Sequence, residues 1–147
     1  MALFDQGWGW LFKWKKGYDL MLTVFPIQSK DTQKELCEIC NVSFNVASFA
    51  YRADDGDFIG ICQFRFENNI GYIENLCYAP NIEDSEAMII MLRATMSFMH
   101  RCGIGISIME ENATTDELLK LSGYRKNENE QYFIDLNKFY GSSCSER

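Results

Sequence analysis

The chain has 147 residues, 47% of them apolar and 24% charged, which is the size and composition of one globular domain. Its formal net charge of −7 repels phosphate backbones and anionic lipid, so nucleic-acid binding is not expected. No apolar run approaches the roughly 20 residues that span a bilayer, and Lys13, Lys15 and Lys16 follow the N-terminal apolar residues where a signal peptide would have them precede; no membrane span and a cytoplasmic protein are the expectation.

Residues 1–18 are rich in aromatics. Gly7 and Gly9 disfavour a helix, while Trp8, Trp10, Phe12 and Trp14 alternate at strand period. An added edge strand or a clasp over the core is the first reading. A surface for a second copy or a protein partner is the next, and a membrane-interface role rests only on the lysines beside the tryptophans. The expected organisation is an N-terminal extension over 1–18, a folded domain over 19–140 and a polar tail over 141–147.

Residues 19–27 read as a first strand. Ser29 can cap a helix over 30–40 that carries Leu36, Ile39 and Cys40 on its apolar side. A second strand follows over 46–52 and a third over 58–67, with Asp54-Asp55-Gly56-Asp57 as the turn between them. Asn68-Asn69 turns the chain into a fourth strand over 71–79. A long helix is expected from near Asp84 to Cys102, with Gly103 as its stop. Ala87, Ile90, Met91, Ala94, Phe98 and Cys102 mark its core face, widened by Met88, Leu92, Met96 and Met99. Glu86, Arg93, Ser97 and His100 form its polar stripe, which makes His100 a solvated residue. A fifth strand over 104–109, a short helix capped by Thr114 or Thr115, and a hairpin of 124–126 with 131–136 complete a mixed α/β sheet with helices on its faces.

The six cysteines read first as structural or incidental thiols. Cys37 and Cys40 form a CxxC pair, but no second pair completes the four ligands that zinc prefers, so no metal is expected. Catalytic-triad and Walker-type phosphate-loop patterns are absent.

Three short stretches carry a family resemblance. Leu76-Cys77-Tyr78-Ala79-Pro80 is similar to a fourth-strand L-x-V-x-P pattern, and the interval from Pro80 to Gly103 suits a turn followed by a long helix. Glu111-Asn112 and then Leu118 to Gly123-Tyr124 are similar to a D-N…L-Y-x-x-x-G-F stretch. Together with the order of elements, they make the chain from residue 19 to the last hairpin resemble the GNAT acyltransferases, which move acyl groups from acyl-CoA to amines. The resemblance implies an α/β, mixed-sheet GNAT-like fold carrying an extra aromatic N-terminal segment, with acetyl-CoA as the cofactor. It implies Glu74 as a candidate general base, with an ion pair or a place at a splayed strand opening as the plainer alternative. It also implies that the backbone of Leu76 and Tyr78 would meet the pantetheine and acyl carbonyl. Asn112 would either reach the cofactor or merely bridge strand and helix. Tyr124 falls at the family's final aromatic position, as a core residue first and a weak candidate acid second.

The chain also departs from the pattern. Where the family carries Gln/Arg-x-x-Gly-x-Gly/Ala to cradle the CoA pyrophosphate on helix-start amides, this chain carries Glu83-Asp84-Ser85-Glu86-Ala87-Met88. Glu86 and Met88 stand at the two motif glycines, and Glu83 at the Gln or Arg. A carboxylate about 5 Å from a phosphate costs roughly 1–3 kcal/mol per charge pair, whereas Asp and Glu in a first helical turn stabilise the helix dipole. Leu119 stands where many family enzymes place a proton-donating Tyr. The expectation is a GNAT-like domain that has lost the usual acetyl-CoA binding and acts as a non-catalytic binding module. A homodimer or protein partner would be reached through the aromatic N-terminus. The alternative is a divergent acetyl-CoA-dependent N-acetyltransferase acting on an amine, with a cationic one suited to the acidic surface.

Overall fold

The computed structural model describes residues 2–5, 10–16 and 20–141, with side chains over 22–140. The expectations placed on Trp8, Tyr18 and Cys144, and on what the N-terminal aromatic side chains pack against, lie outside the described residues. The strands are β1 (Ala2–Asp5), β2 (Trp10–Lys16), β3 (Leu20–Pro26), β4 (Phe49–Asp54), β5 (Phe58–Glu67), β6 (Ile70–Tyr78), β7 (Ile106–Met109), β8 (Arg125–Lys126) and β9 (Tyr132–Asp135). They form one nine-stranded sheet in the order β1-β2-β3-β4-β5-β6-β7-β9-β8. Every neighbouring pair is antiparallel except β6–β7, which is parallel. β2 pairs with β3, so the N-terminal segment extends the sheet by its own hairpin.

The helices are α1 (Lys30–Ile39), α2 (Ser85–Arg101) and α3 (Asp116–Ser122). α2 packs on one face of the sheet together with α3, where Tyr51, Phe64, Ile73, Leu76, Met91 and Met99 belong to the main core. α1 covers part of the other face through Leu36, Cys37 and Cys40, which meet Ile27, Ala50 and Ile61.

Local chemistry sets most boundaries. The Ser29 hydroxyl accepts from the Thr32 amide to start α1, and Thr115 does the same for the Leu118 amide of α3. Asn68 and Asn69 both have positive φ, the geometry a two-residue hairpin turn requires. At the end of α2, the Ile104 amide bonds to Met99 O and the Gly103 amide to His100 O, with Gly103 at φ 86°. This left-handed stop takes up Ile104, so β7 begins two residues later than the periodicity predicts.

Three further expectations change. The second predicted strand begins at Phe49 and runs to Asp54, because Asn45 ties residues 45–48 into a turn through the Ala47 and Ser48 amides. Cys102 caps α2 and is exposed, since the chain leaves the helix there before it can face the core. His100 is half-buried, its ring 5.1 Å from that of Tyr140, because the final turn Asn137–Gly141 folds back over α2. No helix among the described residues is long and apolar enough to cross a membrane.

Candidate functional site

β6 and β7 stay in register from Ile70↔Ile106 to Ile73↔Met109, where β7 ends and β6 continues alone to Tyr78. On its other side β6 pairs Ile73 with Phe64 and Asn75 with Gln63, which leaves Glu74 as the extra residue of a β-bulge. A gap beside a parallel strand and a bulged carboxylate therefore coincide; of the predicted site residues Glu74, Leu76 and Tyr78 lie on this strand, while Tyr124 lies in the core.

Glu74 is held on every side. Its side chain is 10% exposed. Oε1 accepts from the Ser48 hydroxyl at 2.8 Å, and Oε2 accepts from Asn45 Nδ2 and Arg65 Nη1, each at 3.0 Å. Arg65 also donates to Glu110 at 2.7 Å and lies 4.5 Å from the centre of the Tyr72 ring. Gln63, buried beside this network, donates to Ser43 O and accepts from the Gln33 side chain and the Asn45 amide. The 43–48 loop is thus fastened to β5 and β6 by Gln63 and Glu74. Sequence reasoning missed Arg65, Ser48 and Asn45. Only Arg65 carried a signal, as a cation on the strand next to Glu74.

Leu76 is buried, and both its backbone groups are occupied by the chain itself: its amide donates to Ala113 O at 2.8 Å, and its carbonyl accepts from the Thr114 hydroxyl at 2.7 Å. Asn112 is exposed, and its φ of 63° makes the turn in which the Ala113 amide returns to Glu110 O. Tyr78 borders a cleft of about 560 Å³ with Asn81, Ile82, Glu83, Thr115 and Glu117. Its phenol oxygen is buried with no hydrogen-bond partner among the described residues. Burial, then the Glu117 and Glu83 carboxylates, push that phenol's pKa above its ordinary value.

Tyr124 lies in the main core and lines neither this cleft nor the larger one described below. Its hydroxyl is 2.6 Å from Ser107 Oγ, and Ser107 in turn donates to Gly71 O, so the phenol is the donor to Ser107. Burial raises its pKa and the Ser107 bond only partly offsets this, which keeps the proton on the phenol. Leu119 is half-buried and lines the larger cleft, of about 780 Å³, which also includes Tyr72, Glu110, Glu111, Asp116 and Tyr132.

The start of α2 is closed by its own acids. Asp84 is the N-cap and accepts from the Ala87 amide at 3.2 Å, while the Met88 amide bonds to Asp84 O. Glu83 and Glu86 are exposed on either side. Met88 is fully buried and fills the space over Gly60. Replacing Asp84 by Ala is expected to cost about 1 kcal/mol in urea unfolding, the worth of an N-cap carboxylate; a neutral result would sink the capping role.

Burial pushes the Cys37 thiol up to about 11 and the Cys40 thiol to about 12, so both stay protonated at neutral pH. Among the described residues no three His, Cys, Asp or Glu side chains are grouped to hold a metal ion.

Solved structures with the same arrangement settle the fold. An IAA acetyltransferase from Bacillus cereus superposes with a TM-score of 0.60 at 18% identity, over 73% of this chain and 79% of that one. The fold is that of the GNAT acetyltransferases. A spermidine N-acetyltransferase from Vibrio cholerae matches with a TM-score of 0.61 at 10% identity, over 83% of this chain and 98% of the other. The ribosomal-protein-S18-alanine N-acetyltransferase from Escherichia coli matches with a TM-score of 0.57 at 9% identity, over 77% and 89%. No protein-family model matches the sequence, and no curated protein does. Within this GNAT fold, β6 and α2 are the fourth strand and long helix that the L-x-V-x-P resemblance anticipates.

Proposed function

We propose that this GNAT-fold chain does not take up acetyl-CoA in the manner its resemblance implies and serves as a non-catalytic binding module. A protein partner or a second copy is reached through the N-terminal strands that lengthen the sheet. The observation that carries this reading is the Asp84 carboxylate on the Ala87 amide. An anion of the chain already occupies the donor that a phosphate would use, and Glu83 and Glu86 surround it with like charge. Leu119, which has no proton to donate, supports it independently.

Calorimetric titration of CoA and acetyl-CoA into the purified protein tests the reading. No binding is expected up to millimolar ligand, and micromolar affinity would overturn it.

One feature favours a second reading, a divergent acetyl-CoA-dependent N-acetyltransferase with Glu74 as base. The 780 Å³ cleft is lined by Glu110, Glu111, Asp116 and Glu130 against the cation Lys126, which pairs with Glu130, a net negative charge that suits a cationic amine.

A further inference from the structure

At its β6–β7–β9 end the sheet is apolar on both faces. Gly71, Ser107 and Ile134 turn toward α2 and the main core. Gly71 faces Met99, Ser107 bonds to the core phenol of Tyr124, and Ile134 is itself a core residue. Their neighbours along each strand point the opposite way. These are Ile70 and Tyr72 on β6, Ile106 and Ile108 on β7, and Phe133 on β9. None of them belongs to either core, and all but Ile108 are only half-buried. α1 lies on this side of the sheet, but Ile27, Ala50 and Ile61, which it meets, are not on β7 or β9. A sheet face left to water carries polar residues at its outward positions. The outward positions here are apolar.

Strand register sorts this face into two rows. Arg65↔Tyr72, Tyr72↔Ile108, Ile108↔Phe133 and Phe133↔Arg125 make one row, apolar in the middle with an arginine at each end. Glu67↔Ile70, Ile70↔Ile106 and Ile106↔Asp135 make the next, apolar in the middle with a carboxylate at each end. We infer that this two-row face is the surface on which a second copy of the chain docks, sheet against sheet.

The order of charges selects a second copy as the occupant. A two-fold axis between the rows and parallel to them sets each row over the other row of the second copy. Arg65 of one copy then stands over Glu67 of the other, and Arg125 of one beside Asp135 of the other. Between these ends, Ile106 of each copy meets Ile108 of the other. The rows balance positive against negative charge, whereas the whole chain carries −7, so the copies attract here while the rest of their surfaces repel. Arg65 is also held by Glu74 and Glu110 of its own chain, which makes the exposed Arg125 the cleaner probe of the contact. Two rows about 7 Å apart offer well under the roughly 800 Å² per partner of a stable complex, so the dimer is weak and concentration-dependent. The face lies at the opposite end of the sheet from the N-terminal strands and does not depend on what they bind.

The test is sedimentation velocity on the full chain from about 10 to about 500 µM, a range that brackets a weak contact. The wild type is expected to pass from smaller to larger species across it. Ile106→Lys puts a charge in the middle of a row and is expected to abolish that step. Arg125→Glu sets like charges against each other and is expected to weaken association about tenfold. Arg125→Glu with Asp135→Arg exchanges the two charges and is expected to restore it. Arg125 is exposed at the sheet edge, so this pair decides the matter even if Ile106→Lys fails to fold. A wild type that stays monomeric to the top of the range overturns the inference. So does an association left unchanged by both Ile106→Lys and Arg125→Glu, which would be held by the N-terminal strands and would leave the preceding proposal standing. Failure of the double exchange to restore association would overturn the facing of the rows.

Discussion

Gly60→Ala is expected to lose about 3 kcal/mol of stability, a large share of what a domain of this size has. A Cβ at Gly60 would stand 2.6 Å from Cys77 O and 2.6 Å from Met88 Sδ. The thioether is flexible and could move. The carbonyl belongs to the backbone of β6, the neighbouring strand, and cannot move without parting β5 from β6. The same space explains Met88: the glycine on β5 leaves a hollow that the long side chain fills from α2. Urea unfolding of the variant checks this, and a change under 1 kcal/mol would refute the account of the hollow. Gly71→Ala is expected to be milder, because the atoms it would meet, at 2.5 to 3.2 Å, all belong to the flexible end of Met99.

Removing the Glu74 carboxylate should come second in size. Glu74→Ala strips acceptors from Ser48, Asn45 and Arg65 at once and leaves the Arg65 guanidinium with Glu110 and Glu67 only. Breaking one partner out of a largely buried ion pair costs about 3–5 kcal/mol. The surviving partners and the 27% exposure of Arg65 bring this case below that range, to about 2–3 kcal/mol. Glu74→Gln keeps an acceptor for Ser48 and should lose roughly half as much. Denaturant unfolding measures both, with protease sensitivity of the 43–48 loop as a second readout, since that loop is what Glu74 fastens. A Glu74→Ala protein as stable as wild type would show that the loop is held by Gln63 alone. Under the second reading, with Glu74 as base, Glu74→Gln would abolish turnover in addition to that loss of stability.

The two predictions mark where sequence reading stops. The strand of Glu74 was legible from the Asn68-Asn69 turn that opens it, and an ion pair was one of the expected explanations of Glu74. The partners were not, because Arg65, Asn45 and Ser48 reach Glu74 only after a hairpin and a loop have folded against one another. Asp84 was legible in place but only partly in role: the sequence put it at the helix start as a carboxylate favourable to the dipole, and the folded first turn makes it the cap that accepts from the Ala87 amide. The late start of β4 was hidden in the Asn45 turn, and the exposure of Cys102 in the left-handed stop at Gly103. Both override an apolar pattern through backbone hydrogen bonds that periodicity does not register.

The sequence by itself determined the order of elements, the Ser29 cap of α1, the acidic start of α2 and the loss of a tyrosine at Leu119, since each depends on residues within one or two turns of each other. The tertiary structure alone decided that Leu76 is already hydrogen-bonded. Its partners, Ala113 and Thr114, lie some forty positions along the chain. A backbone amide and carbonyl look the same in every residue. What they bond to is therefore set by which strand ends first, and that is visible only when β6 and β7 lie side by side.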